Sequence, residues 1–352
     1  MPQPIRSLPF AELQQWLAKH NQPKFRAAQI MDWVYQKLAV SPEEMTNLPK
    51  ELRQELTRDF DFCTTVPVET KRDDDDAVKW LLRLHDGNTI ESVLICTPGR
   101  TTACISTQVG CAVRCVFCAT GRQGFVRNLS PAEIIDQVIV ASREHSRRVS
   151  NVVVMGMGEP LYNFEHLNIA LETICSPDGL GLSARQVTVS TSGIPQGIRR
   201  LADQHRPWNL AVSLHAPTDE LRARLIPSRH RHPLADILTA CEYYRAATNR
   251  MVTLEYVLIK DTNDALEHAA KLANIAKQIQ AKVNLIPCNS PEGNFQPPER
   301  GDCERFLNVL VNRRVQATIR RRKGFAIQAA CGQLRQQTDR NRSLIDTRSS
   351  DD

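Results

Sequence analysis

Between residues 100 and 290, six short apolar runs alternate with helical patterns, and nothing else in the chain constrains its fold so tightly. The runs cover 103–106, 152–156, 187–192, 210–213, 252–258 and 283–287. Most are rich in β-branched residues, which suit a pleated and buried surface. The helical stretches between them carry start signals, as in Ser130-Pro131-Ala132-Glu133, where serine can cap the third helical N–H and glutamate can reach back. Successive β–α units bring their strands together in parallel through right-handed crossovers. Two closures satisfy that rule, an open doubly wound sheet and a partial barrel of six strands. No GxGxxG follows any of these runs, which counts against a dinucleotide-binding sheet.

The flanks differ in texture. Residues 1–60 read as helices, with Ile30, Trp33, Val34 and Leu38 forming an apolar stripe and Ser41-Pro42-Glu43-Glu44 predicting another helix start. Residues 61–96 read as strands, and Asp86-Gly87 between 78–84 and 89–95 predicts a hairpin turn. The expected division is therefore a helical accessory domain at 1–60, a β-hairpin extension at 61–96, a β/α core at 97–320 and a closing segment at 321–352. The end of that segment, rich in Arg, Asp and Ser, reads as a disordered tail.

A chain of 352 residues can bury one large domain and a smaller appendage. No apolar run reaches the roughly 20 residues that span a bilayer, and the first residues lack the layout of a secretory signal. A cytoplasmic location without membrane attachment is expected. In that reducing compartment eleven cysteines do not imply a disulfide scaffold. Cys63, Cys96, Cys175, Cys241, Cys288 and Cys303 are isolated and read as small packing residues. A net charge of +6 is compatible with a polyanionic partner without requiring one.

Cys111, Cys115 and Cys118 fall within eight residues, directly after the first core strand. Three thiolates at this spacing can hold three corners of a 4Fe–4S cube, leaving one iron open to a small molecule. A structural zinc site is the competing reading, but it normally takes four protein ligands, and neither a second CxxC arm nor a close histidine is present.

CxxxCxxC with an aromatic before the last cysteine, here Phe117, resembles the signature of radical S-adenosylmethionine (SAM) enzymes, whose frame is an incomplete (β/α)6 barrel. The likeness narrows along the chain. Cys104-Ile-Ser-Thr-Gln-Val-Gly-Cys111, Gly156-Met-Gly-Glu-Pro-Leu161, Val187-Thr-Val-Ser-Thr-Ser-Gly193, Ser213-Leu-His-Ala-Pro217, Asn284-Leu-Ile-Pro287 and Ala329-Ala-Cys-Gly-Gln-Leu334 resemble the RlmN family. So does Phe25-Arg-Ala-Ala-Gln-Ile30 with Trp33-Val-Tyr35 in the accessory region. Members methylate adenine C2 in 23S rRNA and in tRNA.

The resemblance implies a set of roles. Cys111, Cys115 and Cys118 hold the cluster, and SAM binds its open iron with Gly158, Glu159, Ser190, Ser213, Leu214, His215 and Asn289 around it. One SAM methylates Cys331, and a second yields the radical that activates this methyl for addition to C2. Cys104 then releases the product by forming a transient disulfide with Cys331, and Glu91 takes the C2 proton. An electron donor such as flavodoxin or ferredoxin and a monomeric state are expected. The basic stretches Arg143–Arg148 and Arg313–Lys323 are candidates for phosphate contacts. Two residues depart from the family pattern, Ala326 where an acidic residue is usual and Cys288 where an aromatic is common. The rival readings are the sister family that methylates adenine C8, from which Gly158-Glu-Pro-Leu161 differs at its proline, and a non-catalytic RNA-binding protein with a structural metal.

Overall fold

The computed structural model describes residues 2–74, 77–144, 148–227, 231–289, 295–320, 327, 329 and 332–334. Cys331, Ala326, Arg147, Arg321, Arg322 and Lys323 lie outside the described residues.

The N-terminal region contains β1 (Gln3–Pro4), α1 (Phe10–Lys19), α2 (Phe25–Met31), α3 (Lys50–Asp59) and β2 (Phe60–Asp61). The predicted stripe holds through Val34: Ile30 and Val34 are fully buried and Trp33 partly so, carried by α2 and the turn at Asp32–Gln36 that continues it, while Leu38 is buried beyond the helical turns at φ 59°. Two expectations need correction. This region is not purely helical, because β1 pairs in parallel with β2. Ser41-Pro42-Glu43-Glu44 opens only a single 3-10 turn, although Ser41 Oγ does accept the Glu43 N–H at 3.1 Å. The chain leaves helical geometry at Met45, and α3 starts only after Pro49.

Next come β3 (Thr65–Arg72), β4 (Ala77–Leu84), β5 (Thr89–Thr97) and β6 (Arg100–Cys104), all antiparallel neighbours. The predicted hairpin turn joins β4 to β5: Gly87 adopts φ +81°, and its N–H donates to Leu84 O at 3.0 Å. The antiparallel ribbon is continuous with the core, because β6 also pairs in parallel with the first strand beyond it.

A small excursion follows, made of β7 (Gln108–Gly110), α4 (Ala119–Gln123) and β8 (Phe125–Asn128). Then α5 (Pro131–Glu144), β9 (Asn151–Val154), α6 (Phe164–Cys175), β10 (Val187–Thr191), α7 (Pro195–Ala202) and β11 (Asn209–Ser213) alternate. The core ends with α8 (Asp219–Leu225), α9 (Leu234–Thr248), β12 (Thr253–Leu258), α10 (Leu266–Gln278), β13 (Lys282–Pro287), α11 (Arg300–Asn312) and β14 (Ala317–Ile319). The capping box of α5 forms as expected, with Glu133 N–H donating to Ser130 Oγ and Ser130 N–H to Glu133 Oε2.

The strand order is β14-β13-β12-β11-β10-β9-β6-β5-β4-β3, with every pair from β6 to β14 parallel. All six predicted core strands are present, and β14 adds a seventh that the basic sequence after residue 315 disguised. Among the described residues β3 and β14 are the two edges, so the sheet curls without closing. One apolar core, from Ile5 through Trp208 to Leu310, runs under both the accessory helices and the β/α layers. Arg6 pins the two regions together by donating to Asp136 Oδ1 at 2.5 Å and Ala39 O at 2.7 Å, with both charged side chains almost fully buried. Among the described residues no helix is long and apolar enough to cross a membrane.

Candidate functional site

The cysteine loop is set up by a pinch at its base. Gly110 has φ +73°, and a Cβ there would lie 1.9 Å from Gly124 O, so β7 and β8 approach as only glycine allows. Cys111 N–H donates to that same carbonyl at 2.6 Å. The loop then folds on itself through Cys118 N–H to Cys115 O at 3.1 Å and docks on α8 through Val116 N–H to Leu225 O at 3.1 Å.

All three thiols line one cavity at the C-terminal ends of the parallel strands. Gly158 and Glu159 from the loop after β9, Ser190 from β10, Ser213 from β11, His215 just beyond it and Asn289 beyond β13 line the same cavity. This is the rim where β/α barrels assemble their active sites. Leu214 is different: it is fully buried in the apolar core and does not line the cavity, while its N–H donates to Glu255 O at 3.0 Å.

Several of these residues are fixed by neighbours. Gly158 has φ +107°, and a Cβ there would meet Gln108 Cβ at 2.7 Å, so the loop passes over β7 at backbone contact distance. Glu159 is 2% exposed, and its carboxylate accepts the N–H groups of Leu161 at 3.0 Å and Ser192 at 2.6 Å. Burial pushes its carboxyl up, and these two backbone donors pull the other way. His215 sits in the left-handed region at φ 59°. Val257 N–H donates to its Nδ1 at 3.1 Å, which leaves the proton on Nε2. Burial first, and then the Arg222 guanidinium, push this imidazole down to about 3, so it stays neutral. Its ring meets Phe117 edge-on at 5.0 Å.

Burial favours the neutral form of two of these thiols. Burial pushes Cys111 up to about 12 and raises Cys115 well above its ordinary range. A positive group in the cavity is what would draw off those protons. Among the described residues no three Cys, His, Asp or Glu side chains converge closely enough to share a single metal ion. Asn289 Oδ1 is buried and has no hydrogen-bond partner among the described residues, as a side chain awaiting a ligand would.

Glu91 and Cys104 stand apart from this cavity wall, on the neighbouring part of the sheet. Glu91, 1% exposed on β5, is paired with Lys79 on β4, Nζ to Oε1 at 3.0 Å. Its backbone is tied to the cavity loop, since Ser106 Oγ donates to Glu91 O at 2.6 Å and accepts the Met157 N–H at 2.8 Å. Cys104 ends β6 opposite Val153, and Met155, two residues beyond Val153, lines the cavity. Cys331 is outside the described residues, but Gly332 lines the cavity and its carbonyl accepts the Ala119 N–H at 2.8 Å.

Two models of known families match this chain, the Radical SAM superfamily over residues 105–273 and the Ribosomal RNA large subunit methyltransferase N-terminal domain over residues 5–61. A crystal structure of a radical SAM methyltransferase from Sphaerobacter thermophilus superposes with a TM-score of 0.92 at 43% identity, covering 95% of this chain and 99% of that one. The "Probable dual-specificity RNA methyltransferase RlmN" of Petrotoga mobilis is 42% identical over 94% of this chain and 96% of its own length. The chain belongs to the RlmN family of radical SAM RNA methyltransferases. An Opitutus terrae relative of the same family is 46% identical over 94% of this chain and 93% of its own. The radical SAM fold is thus shown, and the RlmN family implies a 4Fe–4S cluster and SAM.

Sequence reasoning missed several cavity residues. Arg222, 1% exposed on α8, stands behind the cavity without lining it, close enough to Cys115, Glu159 and His215 to act on them electrostatically. Burial pulls its guanidinium down to about 10. Its helix, Asp-Glu-Leu-Arg-Ala-Arg-Leu, reads as an ordinary exposed one. Glu255 and Arg320 line the cavity itself, and burial pushes the Glu255 carboxyl up. Cys288, read as a packing cysteine, lines it too. Two arginines of the basic stretch near Arg143 reach the accessory region: Arg143 donates to Leu38 O at 2.8 Å and pairs with Glu44, and Arg148 donates to Gln36 O. Both clasp the accessory helices.

Proposed function

We propose that this enzyme methylates C2 of an adenine in 23S rRNA and in tRNA, with the methyl carried on Cys331. The observation that carries the reading is that the three cysteines, six of the seven residues assigned to SAM (all but Leu214) and Gly332, the neighbour of Cys331, line one cavity. Cys111, Cys115 and Cys118 would hold the cluster. Gly158, Glu159, Ser190, Ser213, His215 and Asn289 would hold SAM, with Leu214 acting through packing behind them. When bound, cluster and SAM supply the electron and the radical reactivity that an unactivated C–H carbon demands.

The chain's own residues would do the rest. Cys331 presents the one-carbon unit to C2 as a thioether. Glu91 takes the C2 proton while the bonding pair stays on the ring, and the one electron left over from the radical addition would return to the bound cluster. Cys104, as thiolate, attacks the sulfur of Cys331. An S–S bond forms, the S–C bond breaks, and its electron pair stays on carbon, which a proton completes as methyl. The cavity is recessed, so the target base must leave its stack, which favours loops and unpaired sites.

We further infer the division 1–60 accessory domain, 61–96 hairpin extension, 97–320 radical SAM core and 321–352 carrier segment, in line with the family matches at 5–61 and 105–273. A cytoplasmic monomer served by a flavodoxin or ferredoxin fits the reducing chemistry. The test is anaerobic turnover with RNA, followed by mass spectrometry of the digested product. 2-Methyladenosine supports the reading, and 8-methyladenosine would move the enzyme to the sister reaction. Intact mass of wild type and Cys331→Ala checks the carrier: a methyl adduct absent only from the variant is expected.

A further inference from the structure

The chemistry above gives Lys79 no task, yet this lysine is 3% exposed and in ion-pair contact with the proposed base. A lysine ammonium is strongly hydrated in water, so burying it demands a return. The strand register explains where that return is drawn. Lys79 on β4 pairs with Val93 on β5, and Val93 pairs with Cys104 on β6. These three form a row across the sheet, with side chains on one face. Glu91, two residues before Val93, projects to the same face and stands diagonal to both Lys79 and Cys104.

We propose that Lys79 is a positioning residue for the methyl transfer: it holds Glu91 as an ionised carboxylate, aimed along the face that carries Cys104. The proposal rests on the reading of Glu91 as the base. A carboxylate buried by itself relieves its desolvation by taking up a proton, and a protonated acid cannot accept another. A compact ammonium at contact distance removes that escape and fixes which way the carboxylate faces. Burial of the pair, in turn, keeps water from levelling the base. In the step itself the C2 proton passes to Glu91, the C–H bonding pair stays on the adenine ring, and Lys79 neither gives nor receives a proton. The Ser106 bridge from Glu91 O to Met157 N then registers this pair against the loop that carries Gly158 and Glu159.

The test is single turnover of the full-length, cluster-loaded enzyme on an unmodified tRNA transcript. Three products are followed: 5′-deoxyadenosine, covalent protein–RNA adduct and 2-methyladenosine. Lys79→Met should release 5′-deoxyadenosine normally and accumulate adduct, while product release falls by about tenfold or more. Lys79→Arg, which keeps the charge, should release product within about threefold of wild type. A loss of 5′-deoxyadenosine, adduct and product together in Lys79→Met would mean a merely structural role and overturn the proposal. So would full product release by Lys79→Met, or loss of product by a folded Lys79→Arg.

Glu91→Gln separates this failure from failure of the underlying reading. If Glu91→Gln releases product at the wild-type rate, the base assignment itself falls and takes the role of Lys79 with it. If Glu91→Gln stalls and Lys79→Met does not, only the proposal falls. Should Lys79→Met not fold, the uncharged double variant Lys79→Met/Glu91→Gln takes its place. A product rate within about threefold of Glu91→Gln is then expected, and a further loss overturns the proposal.

Discussion

Glu159 Oε2 accepts the backbone N–H of Ser192 at 2.6 Å, a bond that joins the loop after β9 to the loop after β10. The other carboxylate oxygen accepts Leu161 N–H within its own loop. Glu159 thus shapes the wall of the cavity as well as lining it. Glu159→Ala strands two buried donors, each costing about 1–3 kcal/mol. The expected outcome is SAM affinity reduced by about tenfold or more with the iron content unchanged, measured by equilibrium binding and iron analysis on the same samples. Unaltered affinity would mean that the two loops hold their places without this carboxylate.

The tautomer of His215 leads to a pH dependence. Its folded-state value of about 3 lies below the ordinary histidine range, so the unfolded chain binds a proton that the folded chain refuses. Stability from this residue is therefore full above about pH 6.5 and is lost as pH falls toward 3, at up to about 1.4 kcal/mol per unit. Asparagine tolerates the left-handed backbone, can accept from Val257 and does not titrate. Wild type should lose about 1–2 kcal/mol more than His215→Asn between pH 6.5 and 5, a window above most carboxylates. Urea melts of both proteins at several pH values measure it, and parallel slopes would refute it.

Much of this was legible before any coordinates, because it is encoded locally. The strands from 152 to 287 carry their own apolar pattern, Ser130 and Glu133 cap each other three residues apart, and Gly87 marks its own turn. What escaped depends on long-range register. Lys79 lies in Val-Lys-Trp-Leu-Leu-Arg-Leu, where alternation makes it look as solvated as Arg83, and only the register that sets Lys79 beside Glu91 shows that it is buried while Arg83, on the same face, is exposed. Arg222 looks like a surface charge until the cysteine loop covers its helix. That Arg143 and Arg148 reach the accessory region depends on where α5 ends, which nothing in the sequence states.

Arg6 and Asp136 make the seam between those regions measurable. Both side chains are almost fully buried, and burial pushes Asp136 up while Arg6 draws it down. Arg6→Ala leaves a buried carboxylate with Thr64 as a hydrogen-bonding partner but no cation. A loss of about 3–5 kcal/mol is expected. Adding Asp136→Asn should recover most of it, since the uncompensated charge disappears. A double variant no more stable than Arg6→Ala, in denaturant titrations, would place the energy in lost packing instead.

Among the described residues, the four cysteines that line the cavity divide by position. Cys111, Cys115 and Cys118 come from one loop pinched at Gly110, whereas Cys288 follows the end of β13 and is buried in the apolar cluster against which those three pack. A cube held at three corners by the loop needs each of its thiolates, because losing one leaves a second iron open and the cluster labile. Cys111→Ala, Cys115→Ala and Cys118→Ala should each give colourless protein with iron well below stoichiometry after anaerobic reconstitution. Cys288→Ala should stay brown, with iron equal to wild type, because its thiol belongs to the wall rather than to the loop. The same assay reads all four variants. Iron retained by any of the first three, or lost in the fourth, would assign the cluster to a different set of thiols.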